Sequence, residues 1–295
     1  MHIVTPCIES TPLSHRRGFP VWLKLENTQP AGSFKQRGMG AAARAAVEAG
    51  AQRLVSSSGG NAGLAVAWAG RTLGVPVTVV VPSRTSEGMK ARIAAQGADV
   101  QVHGEVWDDA HARAIQLAER GGALMHPFDH PDIWEGHSTL IDELPHEPKA
   151  LVVSVGGGGL LAGLLMGLQR RGWSTRVYAV ETFGTDSLFR AMEARRVVDR
   201  GGIDGIALTL GARAVAQECL RRSLDWGVQP LRVSDRQAVE ACARFADDHR
   251  MLVEPACGAA LAGLDQVQAE DALVVVCGGA SVTPADLASW LATTR

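Results

Sequence analysis

The sequence predicts an α/β fold: two domains, each a mostly parallel twisted sheet covered by helices. Three observations predict it. Strand-like stretches such as residues 75–81 and 150–155 are apolar throughout, as strands buried on both faces are. Longer stretches with helical spacing separate them. Roughly ten such strands exceed one comfortable sheet, so two sheets are expected.

The elements follow in order. Residues 39–49 are a run of helix formers. Leu54-Val55-Ser56 reads as a short buried strand, and residues 61–73 as an apolar helix ended by Gly74. Residues 75–81 form a β-branched strand closed by Pro82. Residues 86–96 have helical periodicity with Gly97 at the end, 99–103 read as a strand, and 107–119 as a helix before Gly121-Gly122. A loop with Pro127, Asp129 and Pro131 leads to a helix over 133–144. Residues 150–155 are a strand running into four consecutive glycines, and 160–171 are helical. Residues 176–180 form a strand that ends at Glu181, and 184–232 read as mostly helical. Ser234 opens a helix to His249 with Asp235 in its first turn. Residues 255–267 are helical, 272–277 are a last buried strand, and Pro284 starts a terminal helix.

Composition narrows the class. The chain has 295 residues, 46% of them hydrophobic, which is ample for a sizeable core. The formal net charge of −2 leaves no basic excess for nucleic acid. No apolar run is long enough to span a bilayer, and residues 1–20 lack the apolar centre of a signal peptide. Five scattered cysteines without a Cys-x-x-Cys pair point to reduced thiols and a cytoplasmic setting. His126 and His130 fall in a Pro/Asp-containing loop and read as surface residues rather than metal ligands.

In open parallel sheets, ligands bind beyond the carboxyl ends of the strands. That rule selects residues 56–61, the run Gly156-Gly157-Gly158-Gly159, and Cys277-Gly278-Gly279. Four glycines between a strand and a helix expose backbone N–H groups at a positive helix end, which suits a phosphate, the plainer alternative being a tight strand–helix turn. With Glu181 about 20 residues on, a dinucleotide remains an alternative ligand. Ser57-Ser58-Gly59-Gly60-Asn61 has hydroxyls, bare amides and a carboxamide at a helix start, suited to a carboxylate or to ordinary helix capping. Lys35, in Gly32-Ser33-Phe34-Lys35-Gln36-Arg37-Gly38, is a candidate for covalent amine chemistry with a carbonyl, beside the plainer reading of a solvated charge near a helix start.

Ordered motifs cover nearly the whole chain. They include Thr11-Pro12-Leu13, Lys24-Leu25-Glu26-Asn27, Gly32 to Gly38 and Ser57-Ser58-Gly59-Gly60-Asn61-Ala62-Gly63. Pro127-Phe128-Asp129, Ile133-Trp134-Glu135-Gly136-His137 and Ser154-Val155 with the glycine run and Leu160-Leu161 follow. Glu181-Thr182-Phe183-Gly184, residues 252–260 and Val276-Cys277-Gly278-Gly279 complete the set. In these motifs the chain resembles the fold-type II (tryptophan synthase β-like) pyridoxal phosphate enzymes. Within them it is most similar to the catabolic, serine dehydratase-like serine/threonine ammonia-lyases.

The resemblance implies a set of roles. Lys35 would hold pyridoxal 5′-phosphate through its amine, and Phe34 would lie against the ring. Asn61 would contact the ring 3′-oxygen. Gly156, Gly157, Gly158, Gly159 and Leu160 would hold the phosphate, and Cys277 would face the pyridine nitrogen. The turn Ser58-Gly59-Gly60-Asn61 would take the substrate carboxylate. Freed Lys35 would remove the Cα proton, and L-serine or L-threonine would yield pyruvate or 2-oxobutanoate plus ammonia. A monovalent cation, with potassium as the guess, would bind Glu181, Thr185, Ser187, Leu210 and Ala212. A large cofactor-binding domain of residues 1–38 and 130–295, a small domain of 39–129, and a homodimer are further expectations.

Two departures matter. Serine racemases resemble this pattern but carry a serine, a second acid/base, at the position matching Gly59, so elimination is expected over racemisation. The chain also stops soon after its last strand, without the regulatory C-terminal domain of biosynthetic threonine deaminases, so isoleucine feedback is not expected. The alternatives are racemisation or β-replacement on the same cofactor, or a non-catalytic binder of cofactor or amino acid.

Overall fold

The computed structural model describes residues 1–294. In chain order the elements are β1 (Cys7–Glu9), α1 (Thr11–Arg17), β2 (Val21–Lys24), α2 (Lys35–Glu48), β3 (Leu54–Ser56), α3 (Asn61–Leu73), β4 (Val77–Val81) and α4 (Glu87–Ala94). They continue with β5 (Asp99–Val102), α5 (Trp107–Ala118), β6 (Ala123–Leu124), α6 (Pro131–Asp142), β7 (Ala150–Ser154), α7 (Gly159–Arg171), β8 (Arg176–Thr182) and α8 (Ser187–Ala194). The last are α9 (Gln217–Trp226), β9 (Gln229–Val233), α10 (Asp235–His249), α11 (Pro255–Gly263), β10 (Ala272–Val275) and α12 (Pro284–Thr293).

These elements form two compact units. One comprises residues 1–3 and 29–137, the other 4–28 and 138–295. Residues 1–3, 29–38 and 130–137, expected with the large domain, group with the small one. The reason is local: Lys35 opens α2, so the lysine travels with the helix it starts. The first half of α6 packs on the same helix. A Cβ on Gly136 would lie 2.5 Å from the Arg37 carbonyl oxygen, and one on Gly38 2.6 Å from His137 Nε2. That approach admits only glycine on either helix.

The smaller unit has a four-stranded parallel sheet in the order β5-β4-β3-β6. The larger has six strands in the order β1-β2-β10-β7-β8-β9, of which only the β1–β2 pair is antiparallel. β4 and β7 are buried along their whole length, as continuous apolar runs require. The expected fold class is therefore observed. The stretch 184–232 is less helical than its composition suggests. It holds α8, α9 and the edge strand β9, with irregular backbone between α8 and α9.

Each sheet has one place where the chain reverses its direction of strand addition. In the smaller sheet β3 lies between β4 and β6; in the larger, β7 lies between β8 and β10. Such points leave an open crevice at the strand carboxyl ends.

Candidate active site

In the smaller unit three segments converge on the carboxyl ends of β3 and β6. The turn after β3 leads into α3, whose N-cap is Gly60 and which has no side-chain cap. Its first amides are left for an anion. Ser58 Oγ accepts from the Gly60 amide at 3.4 Å, and Ser56 Oγ from the Ser58 amide at 3.3 Å. The helix packs hard on this turn, since a Cβ on Gly63 would sit 1.8 Å from the Ser58 carbonyl oxygen. Gly59 faces Thr85: a Cβ there would lie 2.5 Å from Thr85 Oγ1 and 2.8 Å from its methyl.

Lys35 is the first residue of α2, and Phe34, its N-cap, offers no side-chain cap. The Lys35 amine donates to the Pro127 carbonyl at 2.6 Å and lies 5.2 Å from the centre of the Phe34 ring. A cation at a helix N-terminus runs against the helix dipole. Behind Phe34 lies His137, with ring centres 5.0 Å apart. His137 is fully buried, and neither ring nitrogen has a hydrogen-bond partner. Burial, then the charges of Lys35, Arg37 and His2, hold its pKa well below the usual histidine value. It is a neutral wall of this pocket. Sequence reading placed it in a motif but gave it no role.

His126, read from sequence as a surface residue, is half-buried at the end of β6. Ser57, buried, shares a 2.9 Å hydrogen bond with His111 Nδ1, and His111 stacks on Trp107 at 4.4 Å. Sequence reading gave His111 no role and His126 only a surface one, because only the strand order brings β3, β6 and α5 together.

In the larger unit the glycine run follows β7. Gly158 is the N-cap of α7, again without a side-chain cap, at φ +89°. A Cβ there would lie 2.6 Å from Cys219 Cβ; one on Gly156 would lie 3.0 Å from the Leu210 carbonyl oxygen. The positive φ and the packed wall behind the loop both require glycine at 158. The result is a side-chain-free helix N-terminus, the feature a phosphate monoester needs. β10 is the neighbour of β7, so Cys277, just past it, comes close to Ser154 at the end of β7. The Ser154 hydroxyl donates to Cys277 Sγ at 3.6 Å. Cys257 also bonds Cys277, and that bond, together with burial, pushes the Cys257 thiol well up. The Cys242 thiol is pushed up to about 12, mainly by burial. The Cys257 and Cys242 thiols are thus held protonated, and none of the five cysteines forms a disulfide.

The expected cation residues cluster within the larger unit. Glu181 is fully buried inside β8. It accepts from the Leu188 amide at 2.8 Å and the Phe189 amide at 2.7 Å, at the start of α8. Ser187 Oγ lies 3.5 Å from Glu181 and 3.4 Å from the Gly156 carbonyl oxygen. Thr185 shares a 2.9 Å bond with Thr182. The Ala212 amide donates to Leu210 at 2.8 Å. Burial pushes the Glu181 carboxyl up to about 8, against the pull of the two amides. Nearby, buried Asp186 pairs with Arg190, Arg200 and Arg232. Burial opposes its ionisation, yet those arginines hold its pKa below the ordinary value.

The family model for pyridoxal-phosphate dependent enzymes matches residues 1–278. The chain belongs to that family. It is 47% identical to a mouse serine dehydratase-like protein, over 97% of this chain and 93% of the relative. It is 41% identical to a human L-serine dehydratase/L-threonine deaminase, over 97% and 94%. A crystal structure of a fungal L-serine ammonia-lyase from Rhizomucor miehei superposes with a TM-score of 0.94 at 36% identity, covering 100% of this chain and 99% of that one. No helix among the described residues is long and apolar enough to cross a membrane.

Within this family, the residues fit the cofactor in three respects. The uncapped glycine loop suits its phosphate. The Lys35 amine stands beside the Phe34 ring with the Pro127 carbonyl to steady it. Cys277 offers a polar sulfur at a strand end.

Proposed function

We propose that this ammonia-lyase acts on L-serine and L-threonine, removing the β-hydroxyl as water and releasing pyruvate or 2-oxobutanoate plus ammonia. The likeness to proteins named for those substrates supports the class. The observation that supports the choice of elimination is Gly59, which brings no side chain of its own to return a proton to the opposite face; the Thr85 side chain fills the space its Cβ would take.

Each role is assigned on this chain's residues. When bound, pyridoxal phosphate supplies an electron sink for the charge left at Cα. Lys35 would hold it, and Phe34 would lie against its ring. The amides of Gly156 to Gly159 and Leu160 would take the phosphate. Asn61 would contact the ring 3′-oxygen, and Cys277 would face the pyridine nitrogen. A thiol is a weaker hydrogen-bonding partner than a carboxylate, so Cys277 would favour prompt loss of the β-group over transamination. Ser58, Gly59, Gly60 and Asn61 take the substrate carboxylate at the start of α3. The Lys35 amine would serve as the general base that removes the Cα proton. The enamine released is hydrolysed in water to the keto acid and ammonia.

Around this reaction, a monovalent cation binds at Glu181, Thr185, Ser187, Leu210 and Ala212. The free thiols suit the cytoplasm, and the active form is a homodimer.

Lys35→Ala tests the reading. It should abolish the cofactor's visible absorbance band and lower keto acid formation by at least about a thousandfold. Persistence of the band, or D-serine outrunning pyruvate in the unaltered protein, would refute it.

A further inference from the structure

We propose that His126 is a positioning residue for Lys35. It turns the loop after β6 so that the Pro127 carbonyl receives the lysine amine. The inference rests on the reading of Lys35 as cofactor anchor and Cα base.

The geometry is local and over-determined. His126 Nδ1 accepts from the Asp129 amide at 2.7 Å and the Phe128 amide at 3.3 Å. Two N–H donors on one ring nitrogen fix the tautomer: Nδ1 carries the lone pair, and the proton of the neutral ring sits on Nε2. The Trp134 indole donates to the Phe128 carbonyl at 3.0 Å, which holds the far side of the loop. The His126 and Phe128 rings meet edge to face at 4.7 Å. Proline has no amide of its own. With both following amides turned back to His126 and the Phe128 carbonyl taken by Trp134, the Pro127 carbonyl points out of the loop. The Lys35 amine meets it at 2.6 Å. The loop is placed in turn by β6, whose Leu124 pairs with Val55 of β3, and by the Met125 amide bonded to Val55.

The consequence is chemical. A base that is freed during turnover needs a fixed partner, or it samples rotamers away from the proton it must take. A carbonyl acceptor serves both the amine and the ammonium, so it steadies Lys35 before and after proton transfer.

The arrangement requires an unprotonated Nδ1. A proton there would meet two N–H donors and release the loop. Burial lowers the proton affinity of His126, as do His111, Lys35 and His130; Asp129 opposes them. These are the charged and titratable groups that face it. The neutral ring therefore prevails above a pKa lying below the ordinary 6.5, and the loop's hold on Lys35 is lost as pH falls through it.

The test uses the holoenzyme and three variants. An asparagine at 126 can accept the amides two and three residues on, as in an Asx-turn, but does not titrate. We expect His126→Ala to lower kcat for L-serine by about 10- to 100-fold with KM changed less than about threefold. It should also slow the growth of the visible band when pyridoxal phosphate is returned to cofactor-stripped protein. His126→Asn should restore both to within about fivefold of the unaltered protein and flatten the acid limb of the kcat profile below about pH 6.5. The proposal is overturned if His126→Asn is no better than His126→Ala, or if its acid limb superposes on that of the unaltered protein. Lys35→Ala separates the two levels: a band in that variant overturns the reading of Lys35 itself, whereas a failed asparagine rescue with no band in Lys35→Ala overturns the role of His126 alone.

Discussion

The two crevices differ in what lines them. In the larger unit the glycine run is pressed against its neighbours. Gly158 has Cys219 at its back and Gly156 has the Leu210 backbone. Cys277 sits among a buried serine and protonated thiols. In the smaller unit the crevice is polar and adjustable. Lys35, His126, His111 and the Ser58 turn line it, and each can gain, lose or re-aim a hydrogen bond. The difference separates recognition from chemistry. Groups that never change state during a reaction can be held by close packing, which tolerates no movement. Groups that exchange protons are held by hydrogen bonds, which can be remade.

The sharpest way to break the contrast is to add one methyl group to each crevice. Gly158→Ala must adopt a positive φ and displace Cys219, so it should destabilise the protein by about 2–4 kcal/mol and weaken cofactor retention severalfold. Gly60→Ala meets only Ser58 Oγ, at 4.0 Å, and should unfold within about 1 kcal/mol of the unaltered protein. Thermal unfolding with and without added cofactor reads both, and equal losses would dissolve the distinction.

A smaller effect is expected where packing enters the polar crevice. Gly59→Ser places its Cβ in the space of Thr85, and should reduce pyruvate formation by about 5- to 50-fold through a cost of about 1–2 kcal/mol. Gly59→Ser with Thr85→Ala should regain most of that rate and begin to form D-serine. Chiral analysis of the products decides it; a single variant as fast as the unaltered protein would show that Thr85 is no wall.

The mildest effect concerns Glu181. Its folded value of about 8 lies above its ordinary 4.5, so the folded state binds the proton more tightly between those limits. The associated stability is full below about pH 4.5 and is lost as pH rises through about 8. A cation beside the carboxylate would take the proton's place. Potassium chloride should therefore raise Tm by a few degrees more at about pH 9 than at about pH 6, relative to tetramethylammonium chloride. Glu181→Gln should erase that difference.

Much of this was legible in the residues, and the rest was not for physical reasons. The helix Asn61–Leu73 announces itself by an apolar face and a glycine stop, and its bounds are those read from sequence. The glycine run marks a helix start that no side chain covers, and α7, whose N-cap is Gly158, does begin without a side-chain cap. By contrast β9, with Pro230 and Arg232 half-exposed at a sheet edge, lacks the continuous apolar signal of β7. β6, at two residues, is too short to have a period. The bond from Lys35 to the Pro127 carbonyl spans 92 positions and depends on β6 lying beside β3, which no local pattern encodes. Cys277 could be placed at a strand end, but its bond to Ser154 follows only from β10 lying beside β7.

The position of β2 has a consequence for how the chain is made. Its parallel partner is β10, so the larger sheet cannot close until the ribosome has delivered residues 272–275. The smaller sheet draws all its strands from one uninterrupted stretch, completed far earlier. Vectorial synthesis thus favours the lysine-bearing unit as the first to fold, while the antiparallel β1–β2 pair waits with one edge of β2 unpaired. An exposed edge of that kind invites pairing with other chains, and this nascent interval is where chaperone binding would matter most.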